Sequence, residues 1–403
     1  MAKKTLPWEI IADILCRLPV KDLLRYRCAS KPWCSLIDGP DFIKLHLNHS
    51  KQTNSNLAAV LCYKHKLFSV DLDPLGGGGA AVELNHRIED VHGIQILGSC
   101  NGLLALSNWR GDVVLWNPST RMYKNLPISN VDVSYDFLFG IKENLEMYGF
   151  GHDPINNDYK LVRTTVHVTG SHGDFDSDVK IYSSNANAWK MYKRNFPYCL
   201  SIKKWRWYGV FVGSALHWVV LRKPGFGFVH LILTFDLVTE EYHDQVPLPE
   251  YEMCRDYEFV DISLGVLGGS LCLVCNYIND PRLIALSFRV DVWVMRQYGV
   301  KESWNMMFSI EPTRAIGITF NFVTVVGYFK SYDEVILHLD NSGFMLYDLQ
   351  KKKAKKLSNF RLPFAFGTQS CVGSLVGLNS GWSKGLEAGG TRNTTLMGSR
   401  GIV

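Results

Sequence analysis

The pattern of hydrophobic positions changes near residue 50. Before that point apolar residues recur at helical spacing, and Ile10, Ile11, Ile14, Leu15 and Leu18 share one face of a helix. After it, short apolar runs alternate with turns rich in Gly, Asn, Asp and Pro, which is typical of β-strands. The pattern therefore predicts a small all-α module followed by a large all-β domain.

Three short helices are predicted in the N-terminal module. Pro7 suits the first turn of the first helix, Leu18-Pro19 ends that helix, and Ser30 is a candidate N-cap for the third, which carries Trp33. The second helix is marked by Val20, Leu23, Leu24 and Cys28. After the turn at 38–40 the apolar pattern continues through residues 42–47.

This module has more apolar surface than three short helices can bury against each other. About 45 residues is also close to the lower limit for a self-sufficient core. The pattern leaves two explanations open: the helices dock on the β domain, or they present a surface to another protein.

The β domain contains a repeated signal with two parts. Glycine-marked apolar strands are predicted at 98–106, 212–220 and 267–275. Hairpins with polar turns are predicted at 57–72, 114–127, 149–163, 180–192, 234–249, 291–308, 325–339 and 344–357. Hairpins of the main form recur roughly every 50–65 residues, in the range of kelch-type propeller blades.

We therefore predict a kelch-like β-propeller of about six blades. A C-terminal strand near Cys371–Val376 is expected to close the ring by pairing with the first blade, which removes exposed sheet edges. A β-sandwich is the structural alternative, but it does not explain the period.

Composition adds expectations about location and chemistry. The net charge of the 403 residues is only +5, which does not indicate a polyanion-binding protein. The ten cysteines are scattered singly, and charged residues such as Glu9 and Asp13 interrupt the N-terminal apolar run. Two long uncharged runs, 262–279 and 362–383, contain several Gly, Ser and Asn, so no membrane span is expected. We expect a reduced, soluble, intracellular protein.

Candidate catalytic and metal sites are weak. Cys272 and Cys275 form a CxxC, but in a strand this spacing places them on opposite faces, so buried structural cysteines are the better interpretation. The run 76–79 of four glycines has no Lys-Ser/Thr after it and is interpreted as a surface loop. No nucleophile elbow is present, and we expect no cofactor.

Two basic segments have a structural and a functional interpretation. KKWRWYG at 203–209 could stack on single-stranded nucleic acid, but alternation in a strand gives the same pattern and is favoured. The lysines of 351–356 could form a nuclear signal, but a solvated hairpin is favoured. Loops at 135–146, 167–178 and 251–259 are candidates for target binding.

The N-terminal module resembles the F-box of plant proteins. The resemblance is carried by Leu6-Pro7, Glu9-Ile10, Ile14-Leu15, Arg17-Leu18-Pro19, Lys21, Leu23-Leu24, Arg25, Arg27, Ser30-Lys31, Trp33, Leu36-Ile37, Pro40 and Phe42. It implies a three-helix module that binds the Skp-type adaptor of an SCF (Skp–cullin–F-box) ubiquitin ligase, and the cullin through that adaptor. It also implies that twelve residues divide between contacts to the adaptor and the core of the module itself. They are Leu6, Pro7, Ile10, Ile11, Ile14, Leu15, Leu18, Pro19, Val20, Leu23, Leu24 and Trp33.

The β domain resembles the F-box-associated domain of plant F-box proteins. The carrying motifs are residues 99–103 (SCNGL), 116–121 (WNPSTR), 158–163 (DYKLVR), 216–218 (LHW) and 292–295 (VWVM). The chain is similar to the subgroup called constitutive expressers of pathogenesis-related genes, which implies a role in plant defence. It departs from the pattern in the glycine run at 76–79, in an extra segment at 280–289, and in a tail from about residue 378.

These observations combine into one prediction. Residues 1–48 form the F-box, 49–376 form a propeller-like domain that binds a target protein, and 377–403 form a disordered tail. The chain is expected to be a non-catalytic subunit of a ubiquitin ligase, in cytoplasm and nucleus, without nucleic acid. The alternatives are a propeller enzyme or glycan-binding lectin with a helical cap, and an RNA-binding propeller.

Overall fold

A computed structural model gives the fold of the chain. It describes residues 6–72, 81–86, 88, 93–108, 110–127, 144–169, 174–195, 198, 206–222, 229–250, 259–278, 287–311, 322–329, 332–340, 343–357, 367–377 and 383–384. The predicted glycine loop at 76–79 and most of the predicted tail lie outside these residues.

The described part of the N-terminal module, residues 6–52, contains four helices. They are α1 (Trp8–Cys16), α2 (Val20–Tyr26), α3 (Lys31–Ile37) and α4 (Pro40–Gln52). The predicted N-cap is confirmed, because the Ser30 hydroxyl accepts a hydrogen bond from the backbone N–H of Trp33 at 3.3 Å. The fourth helix was not predicted, although Pro40 at its first turn and the apolar residues that follow are its sequence signal.

In the described residues the β domain consists of six sheets, antiparallel except for one strand of blade 3, and each sheet is one blade of a propeller. Blade 1 contains β1 (Leu57–Tyr63), β2 (Lys66–Asp71) and β3 (Val82–Leu84). Blade 2 contains β4 (Ile94–Cys100), β5 (Leu103–Asn108), β6 (Val113–Trp116) and β7 (Met122–Asn125). Blade 3 contains β8 (Asn144–Asp153), β9 (Asp158–Thr169), β10 (Asp174–Ser183), β11 (Ala188–Asn195) and β12 (Arg206–Tyr208), the last parallel to β8.

The second half of the ring repeats this arrangement. Blade 4 contains β13 (Val210–Val212), β14 (Ala215–Arg222), β15 (Val229–Asp236) and β16 (Glu241–Val246). Blade 5 contains β17 (Phe259–Leu267), β18 (Ser270–Ile278), β19 (Ser287–Met295) and β20 (Trp304–Ile310). Blade 6 contains β21 (Val323–Phe329), β22 (Glu334–Leu339), β23 (Gly343–Asp348) and β24 (Lys353–Leu357). The prediction of a six-bladed propeller is confirmed.

The C-terminal part of the chain closes the ring. β25 (Gly367–Val372) pairs with β1, with Cys371 opposite Ala58, and becomes the innermost strand of blade 1. β26 (Ser383–Lys384) adds an outer strand to blade 2. The inner strands contact one another in the order β25, β4, β8, β13, β17, β21 and back to β25. Ring closure near Cys371 is therefore confirmed.

The three glycine-marked strands are hairpins, which corrects the prediction. Their turns fall at Asn101-Gly102, Gly213-Ser214 and Gly268-Gly269, between the first and second strands of blades 2, 4 and 5. These glycines have positive φ, from 59° at Gly268 to 83° at Gly102. Because apolar residues continue on both sides of each turn, the sequence hid the innermost strand.

The hydrophobic core consists of layers between neighbouring blades. Cys272 packs in the layer between blades 5 and 6, whereas Cys275 packs in the layer between blades 4 and 5. The two thiols therefore lie on opposite faces of β18, as their spacing predicts. Burial raises the pKa of Cys275 to about 12, so its thiol stays protonated.

Candidate functional site

The helical module, residues 6–52, has a small core of its own. It contains Leu15 and Cys16 of α1, Leu23 of α2, Ile37 of α3 and Phe42 of α4, all nearly inaccessible to solvent. Leu375, from the segment that follows β25, packs against this cluster. The propeller therefore supplies part of the core that the short helices lack.

α4 attaches the module to the propeller. Leu47 is buried in the layer between blades 2 and 3, and Ile43 packs against the same layer. Beyond the end of the helix, the Asn54 amide donates to the carbonyl of Tyr328 at 2.7 Å, and the Tyr332 hydroxyl donates to the carbonyl of Gln52 at 3.0 Å. One face of the module is thus docked on the β domain, as the first of the two explanations expects.

α1 and α4 are held together by a buried histidine. His46 is fully buried, and its Nε2 donates to the carbonyl oxygen of Leu18 at 3.0 Å. Burial lowers the pKa of His46, so the neutral ring is favoured in the folded state. This contact fixes the end of α1 relative to the helix that docks on the propeller.

The opposite side of α1 is apolar and exposed. Ile10 and Ile14, one helical turn apart, are 47% and 51% exposed, and Leu6 is 58% exposed. Trp8, which was not among the predicted site residues, is also exposed, at 49%, in the first turn of α1. Its large apolar side chain at the first position of the predicted helix, directly after Pro7, is the signal that could have found it. We call Leu6, Trp8, Ile10 and Ile14 the α1 surface.

The structure divides the twelve predicted residues into three groups. Those buried inside the module are Leu15, Val20 and Leu23. Those half-buried are Ile11, Leu18, Leu24 and Trp33. Those exposed are Leu6, Pro7, Ile10, Ile14 and Pro19. The sequence alone could not make this division, because Ile14 and Leu15 belong to the same apolar face of α1 and only packing shows which of them is buried.

Comparisons with known proteins identify both parts of the chain. A family model described as "F-box domain" matches residues 4–45, and one described as "F-box associated beta propeller domain" matches residues 61–366. The second match covers most of the chain. This chain belongs to the F-box proteins that carry an F-box-associated propeller.

Several Arabidopsis thaliana proteins are similar to this F-box protein over most of their length. F-box protein CPR1 is 34% identical over 92% of this chain and 89% of its own. F-box protein At4g22390 is 26% identical over 92% and 90% of the two chains. F-box/kelch-repeat protein At3g23880 is 28% identical over 76% and 79%.

The basic segments of this F-box protein lie in strands and turns. Arg206–Tyr208 of KKWRWYG form β12, so the strand interpretation is confirmed for them, whereas 203–205 lie outside the described residues. Lys351 and Lys352 form the exposed turn between β23 and β24, and Lys353 and Lys355 project from β24 into solvent. The predicted solvated hairpin is confirmed.

The prediction of a loop at 167–178, one of the three candidates for target binding, is wrong. Most of 167–178 is strand, because β9 extends to Thr169, β10 begins at Asp174, and Val168 pairs with Phe175. The loop at 135–146 falls outside the described residues up to 143, after which β8 begins, and the loop at 251–259 falls outside them up to 258. The polar ends of the long β9–β10 hairpin have the composition of a loop, which explains the wrong prediction.

Metal-binding and membrane-spanning features find no support in the described part of the chain. Among those residues, no group of three or more His, Cys, Asp or Glu side chains is placed to hold a metal ion. None of the described helices is long and apolar enough to cross a membrane.

Proposed function

We propose that this chain is the substrate-recognition subunit of an SCF-type ubiquitin ligase. Its F-box binds a Skp-type adaptor, and a cullin through it, while the propeller holds a target protein for ubiquitination. F-box proteins are generally non-catalytic adaptors, and this chain contributes proximity: it raises the local concentration of the target at the ubiquitin-carrying partner.

The exposed α1 surface is the observation that carries the proposal. A helical cap would turn its apolar residues towards the β domain, whereas Leu6, Ile10 and Ile14 face solvent. α4 already fixes the module on the propeller through Leu47, so the apolar side of α1 is not needed for docking. An exposed apolar patch of this kind is characteristic of a protein–protein interface.

The propeller face opposite the F-box is the proposed target site. The F-box lies beside the turns at Asn101-Gly102 and near Tyr328, where the first strands of blades 2 and 6 end. Because the strands are antiparallel, the β1–β2 turn with Lys64 and the β5–β6 turn with Arg110 lie at the other face. Both side chains are exposed. Propellers commonly bind partners through such inter-strand loops.

The adaptor contact is tested by capture of a recombinant Skp-type adaptor. Ile10→Ala with Ile14→Ala removes two exposed anchors and should weaken binding at least tenfold. The matched control is Met191→Ala with Met306→Ala, which truncates two exposed apolar side chains of the propeller and should leave binding unchanged. Replacing Leu18 and Pro19 by Ala should also abolish capture, but Leu18 packs against the module's core, so that pair tests folding as well.

Target binding is tested by affinity capture from plant cells in which the proteasome is inhibited. Lys64→Glu with Arg110→Glu should reduce target capture and leave adaptor capture intact, whereas the α1 variant should do the reverse. If wild-type protein captures neither adaptor nor cullin but retains another stable partner, the proposal is wrong.

Location and pathway follow from the same proposal. A subunit of this ligase is expected in cytoplasm and nucleus, which fluorescence of a tagged chain would test. A role in plant defence is suggested by the similarity to the constitutive-expresser subgroup. It predicts altered expression of pathogenesis-related genes when the gene is disrupted.

A further inference from the structure

A cleft of about 620 Å³ lies between α4 and the turns of blades 2 and 3. The helix contributes Lys44, Asn48 and Lys51, which are four and three residues apart and so share one face. The propeller contributes Asn101 and Asn185 from two turns, together with other polar side chains. This volume is in the range of pockets that bind small molecules.

A chain of hydrogen bonds joins α4 to the propeller within the cleft. The Lys51 ammonium donates to Oδ1 of Asn101 at 2.6 Å, and Nδ2 of Asn101 donates to the Tyr159 hydroxyl at 3.0 Å. Tyr159 is only 8% exposed, and burial raises its pKa, so the hydroxyl keeps its proton. Since the oxygen already accepts from Asn101, that proton is available to donate to a ligand. Lys51 likewise keeps two N–H groups beyond the one given to Asn101.

The Lys, Arg, Asp and Glu side chains that line the cleft are Asp41, Lys44 and Lys51, which together leave a net positive charge. Neither Lys44 nor Lys51 forms an ion pair with any of the described residues. Asp41 lies three residues before Lys44, about one helical turn, and ten residues before Lys51, about 15 Å along the axis, so it offsets the charge of Lys44 more than that of Lys51. The nearby carboxylate of Asp158 accepts hydrogen bonds from the hydroxyls of Ser183 and Ser184 and forms no ion pair with Lys44 or Lys51 in the described residues.

We propose that this cleft binds a small soluble molecule that carries phosphate groups. A phosphate accepts several hydrogen bonds at once, and the cleft offers two ammonium groups, a tyrosine hydroxyl and several amides as donors. A ligand there contacts α4 and the propeller together. Its binding therefore stabilises the docked F-box by mass action.

Calorimetric titration of the full chain with inorganic phosphate, pyrophosphate and tripolyphosphate tests the proposal. Affinity should rise along that series and fall as salt is added. Lys44→Met with Lys51→Met should weaken tripolyphosphate binding at least tenfold. Lys353→Met with Lys355→Met removes the same charge from exposed positions on β24 and should change the affinity less than twofold.

Further measurements separate loss of binding from loss of folding. Lys51→Met also removes the hydrogen bond to Asn101. The thermal unfolding and adaptor capture of this variant are therefore compared with those of the wild type. Lys51→Arg keeps the positive charge and should retain tripolyphosphate binding. Equal losses in the two double variants would show non-specific attraction and overturn the proposal. Binding only to vesicles of phosphatidylcholine with phosphatidic acid, and not to tripolyphosphate, would also overturn it.

Discussion

The ammonium of Lys160 lies 2.9 Å from Oε1 of Glu240, which joins β9 of blade 3 to the β15–β16 turn of blade 4. It also lies 3.1 Å from Oδ2 of Asp153 and donates to the carbonyl of Leu237 at 2.6 Å. Burial disfavours every charge in this group. The pKa of Asp153 is nevertheless lowered, because hydrogen bonds from Asn156 and the nearby Lys160 outweigh burial.

Lys160→Met should therefore destabilise the propeller strongly. It leaves the carboxylate of Asp153 fully buried without its cation and takes one cation from the half-buried Glu240, and breaking a buried pair in this way typically costs about 3–5 kcal/mol. The control is Lys66→Met, which breaks an exposed ion pair with Glu83 and should cost about 1 kcal/mol or less. Urea unfolding of both variants measures the difference, and similar midpoints would refute a special role for Lys160.

Truncation of two consecutive residues of α1 should have very different effects on the stability of the F-box. Leu15→Ala empties a side-chain position that is 2% exposed and should destabilise the F-box by about 2–5 kcal/mol. Ile14→Ala alters a side chain that is 51% exposed and should change stability by about 0.5 kcal/mol or less.

Hydrogen exchange across α1–α3 measures these stabilities, and adaptor capture measures binding. Ile14→Ala should weaken capture without increasing exchange. If Ile14→Ala accelerated exchange as much as Leu15→Ala, the division between core and surface would be wrong.

Gly102 should not tolerate alanine. Its φ is +83°, and a Cβ there would lie 2.2 Å from Oγ of Ser374 and 2.6 Å from the carbonyl oxygen of Val372. Gly111→Ala is the matched control, because Gly111 has a φ of +86° but a Cβ added to it would meet nothing within 4 Å. We expect about 1 kcal/mol from backbone strain at Gly111 and clearly more at Gly102. Equal melting temperatures would contradict this close approach between blade 2 and the closing segment.

Acid should destabilise the propeller through two buried histidines. Burial lowers the pKa of His217 and of His338 to about 4, whereas histidine in an unfolded chain titrates near about 6.5. Between these values the unfolded state binds more protons, so the free energy of unfolding falls as the pH falls. Their contribution is fully present above about pH 6.5 and is lost progressively towards pH 4.

Melting temperatures between pH 7 and pH 4.5 test this dependence. His338→Phe keeps an aromatic ring beside Phe344 but cannot take up a proton. The melting temperature of this variant should therefore fall less steeply between pH 7 and pH 4.5 than that of the wild type. An unchanged slope would show that His338 does not contribute to it.

Local signals in the sequence predicted much of the fold. The polar turns that separate paired strands in each blade were visible because Asn, Asp and Gly favour turn conformations. Asp236 illustrates this, since its carboxylate accepts the backbone N–H groups of Val238 and Thr239 at the β15–β16 turn. Each such turn involves only neighbours in the chain, so no tertiary information was needed.

Other features depend on residues far apart in the sequence. The innermost strands of blades 2, 4 and 5 were missed because Gly102, Gly213 and Gly268 look like glycines within continuous apolar runs, and only pairing shows them as turns. The polar face of α4 was missed because Lys44 and Lys51 become neighbours of Asn101 and Asn185 only after the module docks.

The sequence by itself determined the all-α and all-β parts and the family, and it predicted about six blades and a closing strand near Cys371, whose pairing with β1 only the tertiary structure established. Periodicity, turn residues and motifs report on local backbone preference, and these features repeat along the chain. The tertiary structure decided which apolar residues of α1 remain exposed and where the cleft forms. Those outcomes depend on which faces pack together: Leu47 buries one side of the module against blades 2 and 3, and Ile10 and Ile14 remain in solvent on another.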